Sequence, residues 1–146
     1  MTTLTRLEQV EQAIYDRHII VKYVKPDSPL LGGKNACPRY NKQTKQFYII
    51  LNYRLTYHER LEVLLHEWGH LETHNGGRGA SRERSEMCAW RWAYEYFFDY
   101  DELLSLFEGR FSDCDNVVEL LADYYDVTPR FIIGACRYYQ IDIGRR

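Results

Sequence analysis

The sequence predicts an α+β fold, with a small N-terminal antiparallel sheet packed on a helical core and more helices toward the C-terminus. Three observations carry that expectation. Short β-branched and aromatic runs fall before Thr56, at strand length. From Thr56 onward, apolar residues recur three and four apart, the helical period. Strands come first and helices follow, which is the α+β order rather than the alternating one.

Each element can be justified in turn. Leu4, Leu7, Val10 and Ile14 mark a first helix over about 3–16. "IIVKYV" (Ile19–Val24) reads as a strand. "KPDSPLLGGKNACP" follows, with three prolines and two glycines, so it reads as loop. "QFYIILN" (Gln46–Asn52) is a second strand, and "YNKQTKQ" can turn a hairpin from a short strand within Ala36–Tyr40. Thr56 with Glu59 forms a capping box that opens a helix over 56–74. Its apolar face is Leu61, Leu64, Leu65, Trp68 and Leu71, and "NGGRG" (Asn75–Gly79) supplies its stop. Four helices are expected downstream: Ser81 to about Phe98, Tyr100–Gly109, Asp115–Asp126, and Thr128–Tyr139 with Thr as N-cap and Pro at the first position.

Composition excludes several classes. A net charge of -2 leaves no electrostatic footprint for nucleic acid or an anionic membrane. No apolar run approaches the ~20 residues of a membrane span. The N-terminus "MTTLTRLEQVEQAIYDRH" lacks the apolar centre of a signal peptide, so a cytoplasmic location is expected. Cys37, Cys88, Cys114 and Cys136 form no CxxC pair and read as free thiols.

"LLHEWGHLETH" (Leu64–His74) carries the chemistry. His66-Glu67-Trp68-Gly69-His70 is HExxH within a helix, which makes the helical core zincin-type. Imidazoles four apart share one face, so His66 and His70 can reach a single zinc ion at ~2.0–2.1 Å. Glu67 lies ~100° around the helix from His66, beside the metal's open position, where a carboxylate can act as general base. The flanks Val63, Leu64, Leu65 and Leu71 are apolar, so the helix is expected to be largely buried. Buried imidazoles and carboxylates need partners or ligands. Gly69 costs about 1 kcal/mol of helix propensity against alanine, which points to close packing on another element.

A catalytic zinc takes three protein ligands and keeps one open position. His74 continues the series but lies ~12 Å along an unbroken helix from His66, too far to share an ion. Glu72 points away from the histidine face and is expected to be solvated. A glutamate one helix later gives the His2Glu, gluzincin-like pattern, and Glu83 and Glu86 both qualify by spacing. Glu83 sits in polar "SRERS"; Glu86 opens the apolar run "EMCAWRWAYEYFF", and burial there favours it.

"LLHEWGHLETH" followed by "SEMCAWRWAYEYFFDYDELL" resembles the ImmA/IrrE family of metallopeptidases, in its phage and mobile-element branch. Glu86, Ala89, Arg91-Trp92-Ala93 and Asp101-Glu102-Leu103 match in order, and the ending "LADYYDVTPRFIIGACRYY" is similar. The resemblance spans roughly Ile19 to Tyr139. It implies that His66, His70 and Glu86 bind zinc and that Glu67 is the general base. At 146 residues the chain is expected to form one metallopeptidase-like domain over 1–146, built as 1–55, 56–98 and 99–146. Two departures stand out. Trp90 takes the place of an Asn or Asp that orients a ligand histidine, leaving that role to a backbone carbonyl or Asp99. "FFDYDEL" lacks the family's proline.

The group that stabilises the tetrahedral oxygen is not singled out by sequence; Tyr94, Tyr53, His74 and Arg91 are candidates. Two function classes follow. The resemblance implies a zinc endopeptidase acting on a protein partner, a helix-turn-helix repressor of the same element, with no direct nucleic-acid contact. The other class is a non-catalytic regulatory module that controls transcription by protein contact. "DNVVELLADYYDVTPRFI" loosely suggests a helix-turn-helix, but Asp115–Arg146 carries no basic stripe.

Overall fold

A computed structural model of the chain describes residues 3–73 and 81–143. The expected helix stop at Asn75–Gly79, and His74, lie outside the described residues. Helix α1 (Arg6–Asp16) begins later than the apolar periodicity alone suggests, because Thr5 and Glu8 cap each other's backbone N–H groups. It buries Leu7, Val10 and Ile14.

Three strands follow: β1 (Ile19–Val24), β2 (Ala36–Asn41) and β3 (Gln46–Asn52). The spatial order is β1-β3-β2. β2 and β3 form the expected antiparallel hairpin, but β1 runs parallel to β3, from Ile19 opposite Phe47 to Val24 opposite Asn52. The sheet is therefore mixed rather than antiparallel throughout. The cause is the proline- and glycine-rich segment after β1, which carries the chain past the end of β3's position to the far edge. β3 then returns into the middle. A short 3-10 turn at Pro29–Leu31 lies in that segment, and Leu31 packs with Cys37 and Ile50 on the outer sheet face.

The inner face, with Ile19, Ala36, Ile49 and Leu51, packs against α1 and helix α2 (Tyr57–Thr73). Thr56 and Glu59 form the expected capping box at the start of α2. Leu61, Leu64 and Leu65 are fully buried; truncating such a leucine to alanine costs about 2–5 kcal/mol. Helix α3 (Arg82–Phe97), capped by Ser81, lies along α2. The two backbones approach closely at Gly69, where an added Cβ would sit 2.5 Å from the Ala89 carbonyl oxygen. That contact accounts for a glycine in the middle of an apolar helix.

The C-terminal part is α4 (Tyr100–Ser105), capped by Asp99, then a wider π-type turn over Leu106–Arg110 where the sequence suggested one continuous helix. Helices α5 (Val117–Tyr125) and α6 (Pro129–Tyr138) complete the chain. Asp126 ends α5 in the left-handed region, and Thr128 caps α6. A single apolar cluster runs from Leu7 to Ile141, tying the strands, the α2–α3 pair and the C-terminal helices together. No described helix is long and apolar enough to cross a membrane. All four cysteines are free, with Cys37 and Cys136 buried.

Candidate metal centre

Three side chains from α2 and α3 meet at the open side of the helix pair. His66 Nε2 lies 2.9 Å from Glu86 Oε2, and His70 Nε2 lies 2.8 Å from Glu86 Oε1. One donor atom from each falls within 4.8 Å of the others. The helical spacing brings the two imidazoles together edge to face, with ring centroids 4.6 Å apart. Close backbone packing at Gly69 and Ala89 brings α3 near enough for Glu86 to reach both rings. Glu83, the alternative by spacing, is exposed and lies outside this group.

Burial differs from the expectation. The histidines are largely covered, but the Glu86 side chain is 43% exposed. The helix enters the core at Ser85 and Ala89, while Glu86 turns toward the cleft. Glu86 is thus well placed because it faces the histidines, not because it is buried.

Electrostatics bind the three together. Burial pushes the His66 imidazole toward its neutral form, but Glu67 and then Glu86 outweigh it, so its pKa is raised. Partial burial pushes the Glu86 carboxyl up, but the two imidazoles outweigh that and hold it below the usual carboxylate range. The donor set of two imidazole nitrogens and one carboxylate suits a catalytic zinc with an open position. Ligands of a tetrahedral zinc lie about 3.3 Å apart; the two imidazole–carboxylate spacings come within about half an ångström of that, and all three donors lie within 4.8 Å of one another. The residues present fit the ion.

Surrounding groups orient the donors. Trp90 stacks on His66, with centroids 4.1 Å apart and planes 15° apart. Ser85 Oγ lies 3.4 Å from His70 Nδ1, and Glu67 Oε1 lies 3.4 Å from His66 Nδ1. Asp99 does not take that role, because its carboxylate caps α4. Glu67 is buried and lines the same cleft of about 1070 Å³ as the three donors. Glu72 is not solvated as expected: its carboxylate receives two hydrogen bonds of 3.0 Å from Arg17 and one of 2.9 Å from Trp68 Nε1.

Sequence reasoning missed Glu62, Thr128 and Arg130. Glu62 is almost fully buried one turn before His66, on the same helix face. Thr128 Oγ1 donates to its carboxylate, and Arg130 reaches it at 3.3 Å. The i−4 position of a glutamate in an apolar helix was the available signal. Among the oxygen-stabilising candidates, Tyr94 lines a chamber next to the cleft, and burial raises its pKa. Tyr53 lines a separate hollow near Val24, Arg91 is exposed and pairs with Glu95, and His74 is not among the described residues.

The family model described as the IrrE N-terminal-like domain, a peptidase family, matches residues 28–134. The chain belongs to that family. The match covers His66, Glu67, His70 and Glu86 and makes the IrrE-like domain a metallopeptidase-like scaffold. No curated protein matches the sequence. Among solved structures, a Mycobacterium tuberculosis transcriptional regulator is similar, with a TM-score of 0.59 and 15% identity over 92% of this chain and 41% of that one. The chain spans about two fifths of that regulator's length, and at this identity the likeness is one of fold.

Proposed function

We propose that the protein is a zinc-dependent endopeptidase that hydrolyses a specific protein partner, a helix-turn-helix repressor of a phage or mobile element. The observation that carries the catalytic part is the convergence of His66, His70 and Glu86 in an open cleft that Glu67 also lines. The nature of the partner rests on the resemblance to the phage and mobile-element branch.

His66, His70 and Glu86 would hold the ion. When bound, zinc polarises a carbonyl and makes nearby water more acidic. Glu67 takes a proton from the attacking water and returns it to the leaving amide nitrogen. Trp90 and Ser85 fix the two imidazole planes, so the donors need little rearrangement. Glu83→Ala should leave zinc affinity close to that of the parent. Glu86→Ala should weaken it by more than the ~10–100-fold typical of losing an outer partner; a zinc titration of both variants checks this.

Glu67→Gln removes the base and keeps its shape. Turnover should fall by ~10²–10⁴-fold while zinc content is unchanged. The assay is co-expression with the element's repressor, read as discrete fragments on a gel, with metal measured on the same sample. One observation favours a non-catalytic module instead: the Glu67 carboxylate contacts His66 at Nδ1, 3.4 Å away, rather than at the Nε2 that faces Glu86. Intact repressor beside zinc-loaded wild-type protein, with transcription still affected, would select that reading.

A further inference from the structure

The cleft does not end at the three donors. A second chamber of about 540 Å³ lies between α3 and α6 and shares Glu62, Trp90 and Arg130 with the cleft. The two spaces adjoin at these residues. One wall is aromatic: Trp90 and Tyr94 line it, and Phe131 backs them from the core, stacked or tilted at centroid distances of 5.2–6.0 Å. The other is the face of α6 that carries Arg130, Gly134 and Arg137.

Two features make this chamber a built space. Gly134 stands in mid-helix, where glycine costs about 1 kcal/mol against alanine; a Cβ there would overlap the Tyr94 hydroxyl. Arg130 is held by the Glu62 carboxylate, which Thr128 fixes in turn. The charges are lopsided. Of the cations lining the two spaces, Lys34, Arg82 and Arg137 make no ion pair among the described residues. Of the acids, Glu62 is held by Arg130, Glu86 lies between two imidazoles, and Glu67 faces His66 Nδ1. Arg130 and Arg137 are seven residues apart, about 10 Å along the helix. An extended peptide covers that distance in about three residues.

We infer that the chamber between α3 and α6 is the recognition subsite for the polypeptide substrate, taking a large apolar side chain against Trp90 and Tyr94 and an acidic neighbour against Arg137. This rests on the reading of the cleft as a peptide-binding site and deepens it. The aromatic wall offers dispersion and apolar burial, and Arg137 offers a guanidinium with no competing carboxylate. Arg137 is a specificity residue, with no part in the chemical step.

The test is binding, separate from turnover. Three fluorescein-labelled peptides are used, identical except at a central Glu-Glu-Phe-Glu, Gln-Gln-Phe-Gln or Glu-Glu-Ala-Glu. Each is titrated by anisotropy against the full-length Glu67→Gln protein, with and without zinc, and zinc content is measured on the same samples. The Glu-Phe peptide should bind about five-fold tighter than its Gln counterpart, the scale of one ion pair at a surface. It should also bind tighter than the Ala peptide. Arg137→Gln should abolish the acidic preference, and Arg137→Glu should reverse it without disturbing the fold, since Arg137 is exposed. Equal affinities, a preference that survives Arg137→Glu, or no binding by any of the three would overturn the inference. Protein that binds no zinc yet keeps an Arg137-dependent preference would overturn the peptidase reading alone. Protein that binds zinc and cleaves its partner with no such preference would overturn the subsite alone.

Discussion

The two long sides of the α2–α3 pair are built from the same two helices and do opposite things. On the closed side, Gly69 meets Ala89 at backbone distance, Trp68 lies edge-on to Trp92, and Trp92 stacks on Tyr96 with planes 6° apart. The polar groups there are consumed: Glu72 takes Trp68 Nε1 and Arg17. On the open side, the polar groups of His66, His70 and Glu86 face one another across a cleft. The difference teaches that packing on one side sets the spacing used on the other. A helix separation fixed by glycine is what lets a glutamate side chain from α3 reach both imidazoles of α2.

The largest effect should come from breaking the closed side. Gly69→Val places a branched side chain against the Ala89 backbone, which cannot rotate away. Overpacking of this kind costs about 3 kcal/mol at its upper end, a large share of the ~5–15 kcal/mol typical of a domain. Urea denaturation should show that loss, and zinc affinity should fall with it because α3 is pushed outward. A stable variant with unchanged zinc affinity would separate the two sides that the contact at Gly69 is said to link.

Next in size is emptying the open side. With free zinc at about a hundred times its dissociation constant, binding adds about 2.7 kcal/mol to stability. A chelator should remove that increment and lower Tm, whereas His70→Ala protein should show the same Tm with and without zinc. The smallest effect belongs to the rim of the closed side. Arg17→Ala removes an exposed guanidinium from Glu72, which still receives Trp68. Exposed pairs contribute little, so the denaturation midpoint should barely move and zinc affinity not at all.

Local signals were the legible ones. Thr56 with Glu59, Ser81, and Thr128 with the proline after it were readable as helix starts, and the strand limits of β1 and β3 followed from short β-branched runs. The spacing of His66 and His70 is local in the same way. The parallel pairing of β1 with β3 was not legible, because nothing in either strand records the order in which neighbours assemble. Nor was the burial of Glu62, whose partner Thr128 is 66 residues away. Trp90 read as a missing polar orienter, and its stacking on His66 depends on how two helices face each other. The exposure of Glu86 escaped for the same reason: an apolar run says a helix is buried, but not which side stays open.

Among the described residues β2 has one strand neighbour, so a row of its backbone groups faces outward. Asn52 N–H donates to Asn35 O, and the register then turns Cys37, Arg39 and Asn41 toward β3 and Ala36, Pro38 and Tyr40 away from it. Pro38 sits at the centre of that outward row and has no N–H to offer. A ladder extended from another chain would lose its middle rung, with the charged Arg39 beside the gap. The exposed edge is thus protected against adding strands from neighbouring copies, a common route to aggregation. The same gap lies where Ala36, Cys37 and Pro38 line the cleft. A polypeptide entering there would meet the outward backbone groups of Ala36 and Tyr40 and the Pro38 carbonyl, with one donor missing from the middle of the row.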